Sequence, residues 1–265
     1  MAHRRDHADS KAVKKILVIG IGAGDPDHLT LQAVKAINRA DVFFLLDKGT
    51  EKAGLVELRR SLVEQHARAG YRVLDVRDPD RDRDRAAPAY TVAVEDWRRQ
   101  RADLVERLIR DELADGETGA FLVWGDPSLY DSTILVLDDV QHRATVHFDY
   151  DVVPGISSIS ALAARHRTTL TRVGRPLLIT TGRRLAGGIP DGVDDVVVML
   201  DAHCTFTQAA DFDVHWGAYL GTPDEILVSG QVADVAAHIK DVRADARARK
   251  GWIMDTYLLR RSPPR

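Results

Sequence analysis

The stretch Lys14–Pro26, KKILVIGIGAGDP, decides the fold. Lys14–Gly20 is a short apolar run that ends in glycine, which fits a strand buried on both faces. The glycines that follow let the backbone approach a ligand closely and adopt positive φ. A Rossmann fingerprint needs G-x-G-x-x-G. Counted from Gly20 its last glycine would fall on Asp25, and counted from Gly22 on Asp27, so both registers fail. A phosphate-binding Walker loop needs Gly-Lys-Ser/Thr, which the chain lacks. Gly20, Gly22 and Gly24 match the G-x-G-x-G loop of Rossmann-like methyltransferases, but Val18 stands where those usually carry an acid. A tight strand-to-helix turn with no ligand also fits.

Outward from this stretch, strands and helices alternate. Leu29, Ala33, Ile37 and Ala40 recur at helical spacing, and Asp41–Leu46 and Tyr71–Val76 read as strands. Leu104, Val105, Leu108, Ile109 and Leu113 form one helix face that stops at Asp115-Gly116. Gly119–Trp124 is a buried strand, Asp151–Val153 leads into Pro154-Gly155, and Ile156–Arg165 reads as a helix capped by Ser157 or Ser158. Pro176–Thr181, Asp195–Leu200, Glu225–Val228 and Gly251–Leu259 are further strands, and Val232–Val242 forms another helical face. The pattern predicts an α/β protein with mostly parallel pairing in its first half. Its weakest joint, Thr171–Arg175, divides the chain into 14–173 and 174–262, after a frayed tail at 1–13.

The composition bounds the function. The 265 residues are 45% hydrophobic and 29% charged, with 37 basic and 40 acidic side chains and a formal net charge of −3. Near balance argues against a dedicated nucleic-acid binder. No apolar run reaches the roughly 20 residues of a membrane span, and the polar N-terminus does not read as a signal peptide. One cysteine, Cys204, excludes an internal disulfide and a cysteine-built zinc site. A cytoplasmic protein without a metal is the expectation. Arg77–Arg85, RDPDRDRDR, reads as a solvated charged loop or as a flap that offers arginines to an anion.

Two more loops follow strands. Trp124–Ser132, WGDPSLYDS, repeats the Gly-Asp-Pro of the first loop, and Val153–Ser158, VPGISS, opens a helix with two hydroxyls. Open α/β sheets bind ligands at such strand C-termini. Taken in order, IGAGDPDHLTLQA (21–33), WGDPSLYDS, VVPGISSISALAARH (152–166) and YLGTPDE (219–225) resemble the tetrapyrrole methylases. The segments FLVWGDPSLYDST, ITTGRRLA, VVMLD and the terminal GWIMDTYLLRR narrow the resemblance to the members that methylate precorrin-5 and release its acetyl group.

The resemblance implies two α/β domains with the active site in the cleft between them, a homodimer, and S-adenosylmethionine as methyl donor. It places Gly22, Ala23, Gly24, Trp124, Gly125, Asp126, Leu129, Ser157, Ser158, Leu200 and Gly221 at the cofactor, with Ala23 where many members carry proline. It implies methyl transfer to C-1 of precorrin-5, with loss of acetate, in cobalamin biosynthesis. Such a polycarboxylate substrate calls for arginines. Arg183 and Arg184 are the leading pair, with Arg167 and Arg172 as further candidates. Asp47, at the end of the second strand, is the candidate base for acetyl release, with Asp201 and His203 as alternatives. Two other readings stand beside this one. The first is a methyltransferase of the same fold acting on another precorrin, a protein or an RNA. The second is a non-catalytic protein that binds tetrapyrrole or S-adenosylmethionine.

Overall fold

A computed structural model describes residues 13–47, 53–79 and 89–261. The chain forms two compact units. One comprises the chain up to Gly20, Thr30–Val123 and Pro127–Pro154; the other comprises Ile21–Leu29, Trp124–Asp126 and Gly155 onward. The tail at 1–12 and most of the Arg77–Arg85 stretch lie outside the described residues.

The first unit alternates β1 (Lys14–Gly20), α1 (Leu31–Arg39), β2 (Val42–Asp47), α2 (Ala53–His66), β3 (Arg72–Arg77), α3 (Ala89–Glu112), β4 (Thr118–Val123), α4 (Thr133–Arg143) and β5 (Phe148–Val153). Its sheet runs β3-β2-β4-β1-β5 with every pair parallel. Parallel neighbours need long crossovers, and each helix supplies one. β1 lies between β4 and β5 and is buried from Ile16 to Ile19, which explains its unbroken apolar run. Val105 and Ile109 of α3 and Val136, Leu137 and Val140 of α4 pack with Ile16, Val18, Phe44 and Phe121 into one core.

The second unit carries α5 (Ser158–Arg165), β6 (Leu177–Thr181), α6 (Gly182–Leu185), β7 (Asp195–Met199), β8 (Phe212–Ala218), β9 (Ile226–Gln231), α7 (Val232–Lys250) and β10 (Asp255–Arg261). Its sheet runs β6-β7-β10-β8-β9, and only β6 and β7 pair parallel. The sequence reading omits β8 because Asp213 and His215 interrupt its apolar run. Its signature is alternation: Phe212, Val214, Trp216 and Ala218 are buried, whereas Asp213 and His215 are partly exposed. α5 packs against β8 and β10, so Gly155–His166 gather with the second unit rather than ahead of a boundary at 173. No helix among the described residues is long and apolar enough to cross a membrane.

Buried charge organises this unit. Asp195, fully buried, accepts from Arg172 at 2.9 Å and from Arg260 at 2.7 Å. Arg172, a substrate candidate by sequence, is therefore committed to the fold; Arg167 is exposed. Asp201 is 5% exposed and accepts from the amides of His203 and Thr205, the Thr205 hydroxyl and the Tyr257 phenol at 2.6–3.0 Å. It is neither a surface residue nor an available base. Burial and the neighbouring Asp201 push the Tyr257 phenol far above its ordinary range, so it remains a donor. Replacing Asp201 by Asn removes the charge from four hydrogen bonds. A loss of about 2–3 kcal/mol is expected, read as a lower urea midpoint with an unchanged slope.

The C-cap of α5, His166, meets the Trp216 carbonyl through Nε2 at 3.0 Å, and its ring lies edge-on to His215 with centroids 5.2 Å apart. Burial lowers both pKa values. Trp216 and Glu225 oppose this for His166, while His166 and Arg260 add to it for His215. The unfolded chain then binds more protons than the folded one just below the ordinary histidine value. Stability is therefore expected to be full above that value, to fall as the pH drops through it, and to level off below the folded pKa values. Denaturation of His215→Gln along a pH series should show a shallower fall than wild type; an equal slope would place the effect elsewhere.

Candidate functional site

β1 and β4 are parallel neighbours, with Gly20 opposite Val123. Two residues further on, Gly22 and Gly125 exchange backbone hydrogen bonds. The Gly22 amide donates to the Gly125 carbonyl at 3.2 Å, and the Gly125 amide donates to the Gly22 carbonyl at 2.7 Å. Both adopt positive φ, +82° and +70°. The first and second glycine loops are thus one piece of backbone.

The first loop also locks onto the turn after β8. A Cβ at Gly24 would lie 2.6 Å from Thr222 Cγ2 and 2.7 Å from the Leu220 carbonyl oxygen. A Cβ at Gly221 would lie 2.8 Å from the Asp25 amide nitrogen. Glycine here serves close approach of backbone to backbone. The Gly221 amide donates to Glu225 Oε2 at 2.9 Å, and Arg165 of α5 holds the other carboxylate oxygen at 2.5 Å. Asp25 caps the short turn Pro26–His28 by accepting from the Asp27 amide.

The second loop holds the third. Asp126 Oδ2 accepts from the Gly155 amide at 2.9 Å. Ser157 caps α5, its Oγ accepting from the Ser160 amide at 3.2 Å. Gly125 differs from Gly22, Gly24 and Gly221 in having room: a Cβ there would meet only Ser157 Cα and the Ser158 nitrogen, each at an ordinary contact distance of 3.9 Å. The result is one wall built from the three loops, in which Asp25, Asp126, Glu225 and the Ser157 hydroxyl each accept from a backbone amide. His28 Nδ1, in the same wall, is buried without a hydrogen-bond partner.

Of the residues assigned from sequence, Gly22, Ala23, Gly24, Trp124, Gly125, Asp126, Ser157, Ser158, Leu200 and Gly221 belong to the second unit. Ala23 is 2% exposed. Leu200 follows β7 with φ +55° and is 66% exposed, a strained position for a bulky side chain. Arg183 and Arg184 stand exposed on α6. Leu129 and Asp47 belong to the first unit; Asp47 ends β2 and its carbonyl accepts from the Asp78 amide at 2.9 Å. Sequence reasoning missed His28 and Glu225. Glu225 was visible as the last residue of YLGTPDE and the start of a strand, and its bond to an amide four residues back is made by the turn.

Alanine substitutions should separate the two kinds of glycine. Gly24→Ala forces atoms apart and is expected to cost about 2–3 kcal/mol. Gly125→Ala meets no clash and is expected to cost about 1–2 kcal/mol, the left-handed backbone penalty alone. Equal losses of melting temperature would contradict this assignment of space.

A family model described as tetrapyrrole (corrin/porphyrin) methylases matches residues 15–236. A protein from Sinorhizobium sp described as precorrin-6A synthase [deacetylating] is 48% identical over 252 residues, covering 94% of this chain and 96% of that one. A crystal structure of a cobalamin synthesis related protein (CobF) from Corynebacterium diphtheriae matches with a TM-score of 0.81 and 36% identity, covering 94% of this chain and 99% of that one. The uroporphyrin-III C-methyl transferase of Thermus thermophilus, solved with S-adenyl homocysteine, shares the fold with a TM-score of 0.56 at 20% identity, covering 92% and 96% of the two chains.

Proposed function

The chain belongs to the tetrapyrrole (corrin/porphyrin) methylases, and from that premise we propose that it uses S-adenosylmethionine to convert precorrin-5 to precorrin-6A, methylating C-1 and releasing the acetyl group as acetate, in cobalamin biosynthesis. The observation that carries this reading is the likeness, along nearly the whole of both chains, to a deacetylating precorrin-6A synthase. A cytoplasmic homodimer belongs to the same reading and is supported by the family resemblance alone.

The glycine wall fits the methyl donor. Gly125 takes positive φ and carries no side chain at a point where a Cβ would fit without a clash, which suits close approach of a nucleoside to its backbone. Ser157, Ser158 and neighbouring amides match the polar groups of a ribose or an amino acid. Asp126 is already bonded to the Gly155 amide, so it would act both as a ligand group and as a brace for the third loop. When bound, S-adenosylmethionine supplies a methyl group already activated by its sulfonium. The protein's own contribution is alignment, for which orientation supplies up to about 7–11 kcal/mol in favourable cases. Ala23, Gly24, Trp124 and Gly221 complete the wall in this proposal, Leu200 would flank it, and Leu129 of the first unit is a cofactor residue by the family resemblance alone.

The substrate's carboxylates need cations, and Arg183 and Arg184, exposed side by side on α6, are proposed to meet them. Acetyl release is hydrolytic. Water adds to the acetyl carbon, the carbon–carbon bond breaks with its electrons returning to the macrocycle, and a base removes the water proton. Asp47 is the proposed base.

Mass spectrometry of precorrin-5 after incubation with the protein and S-adenosylmethionine should show one methyl gained and one acetyl lost. Unchanged precorrin-5 in the presence of bound S-adenosylmethionine would favour a different acceptor. Asp47→Asn should slow acetate release at least tenfold while leaving S-adenosylmethionine affinity within about twofold, the range spanned by losing one general base. Gly125→Ala should do the reverse, weakening S-adenosylmethionine by at least about tenfold in calorimetry, close to 1.4 kcal/mol.

A further inference from the structure

Within the first unit, one buried side chain joins the two segments to which the sequence assigns chemistry. Arg101 of α3 is 4% exposed. Its Nε lies 3.2 Å from Asp78 Oδ1, and Asp78 is itself 3% exposed. Its Nη1 donates to Ser132 Oγ at 2.6 Å. Its guanidinium carbon stands 5.2 Å from the ring centre of Trp97, whose indole donates to the Pro79 carbonyl at 3.0 Å. Asp78 follows β3, and its amide is bonded to the Asp47 carbonyl. Ser132 ends the WGDPSLYDS loop that contains Leu129.

Ser132 is in the N-cap position of α4, yet its hydroxyl makes no cap hydrogen bond. Asp131 Oδ1 takes the Thr133 amide instead, at 2.7 Å. A serine that gives up the helix cap leaves its oxygen for Arg101. Arg59 of α2 donates to the Leu122 carbonyl at 2.9 Å and, with Arg101, Asp131 and Thr133, lines a cavity of about 30 Å³. The local charges, Arg59 and Arg101 against Asp78 and Asp131, balance. The two guanidinium groups are answered by two carboxylates of the protein itself, and the cluster acts as a tie.

We infer that Arg101 is a positioning residue. It fixes the Asp47–Asp78 strand ends relative to the Leu129–Ser132 loop, so that the substrate-facing groups of the first unit are held in place before precorrin-5 binds. The inference rests on the functional reading above. It also assigns a role to the start of the arginine-rich stretch: Asp78 is an anchor rather than part of a solvated run.

The test compares wild type with Arg101→Met, Arg101→Lys and the milder Ser132→Ala. Per folded molecule, Arg101→Met is expected to lower kcat/KM for precorrin-5 at least tenfold while S-adenosylmethionine affinity changes much less, because ten of the eleven residues assigned to the cofactor lie in the second unit and only Leu129 lies in the held loop. Arg101→Lys should recover part of the loss, and Ser132→Ala should show a smaller loss in the same direction. Kinetic constants unchanged per folded molecule would make Arg101 merely structural and overturn the inference. Hydrogen exchange across 128–133 provides a readout that does not need turnover. Faster exchange in Ser132→Ala supports the tie, and exchange equal to wild type overturns it. A wild type that binds S-adenosylmethionine but leaves precorrin-5 unchanged brings down the functional reading instead, and the exchange result then decides the tie alone.

Discussion

Two backbone hydrogen bonds between Gly22 and Gly125 hold the candidate site together. They require two chain segments to come within hydrogen-bonding distance just past two parallel strands, where side chains would ordinarily keep backbones apart. Both positions take positive φ, and glycine, having no Cβ, escapes the penalty that any other residue would carry there. From this pairing the other loops take their places. Gly24 and Gly221 let the first loop and the turn after β8 press together, and Asp126 fastens the start of α5 through Gly155. The carboxylates in that wall, Asp25, Asp126 and Glu225, each take up a backbone amide of the loops themselves.

Charge is used elsewhere, and mostly inside. Asp195 between two arginines, Asp201 beneath four donors, and Asp255 paired with Arg243 each fix a segment of the second unit. Burial pushes the Asp255 carboxyl up, and Arg243 opposes that push. Such groups contribute less net stability than their contacts suggest, because taking charges out of water offsets much of the attraction. What they provide is a single arrangement, since a slipped strand would leave a buried charge without a partner. The first unit does the same with Arg101 and Asp78, and there the fixed segments are those that carry Asp47 and Leu129.

Much of this was legible in the chain. The buried strand Lys14–Gly20, the repeated Gly-Asp-Pro and the Pro-Gly-Ile-Ser-Ser helix start each show in the order of residues, because close backbone approach and helix capping are local demands. β8 was harder, since its information lies in alternation rather than in an apolar run. The partners of Asp201 and Asp195 were not legible at all. Asp201 reads like a polar residue after a strand, and only the packing of Tyr257 and Thr205 around it makes it structural. Arg172 reads like a ligand for an anion and serves an internal one.

The sequence by itself determined the α/β alternation, the loops in which glycine is obligatory and the family to which they point, because each rests on contacts a few residues apart or on a pattern along one strand. Tertiary structure decided which of the charged residues are available. A carboxylate or guanidinium looks the same in sequence whether it faces water or another charge. The difference is set by partners that lie far away along the chain, 56 residues for Asp201 and Tyr257 and 65 for Asp195 and Arg260. Such separations are closed only when the sheets form.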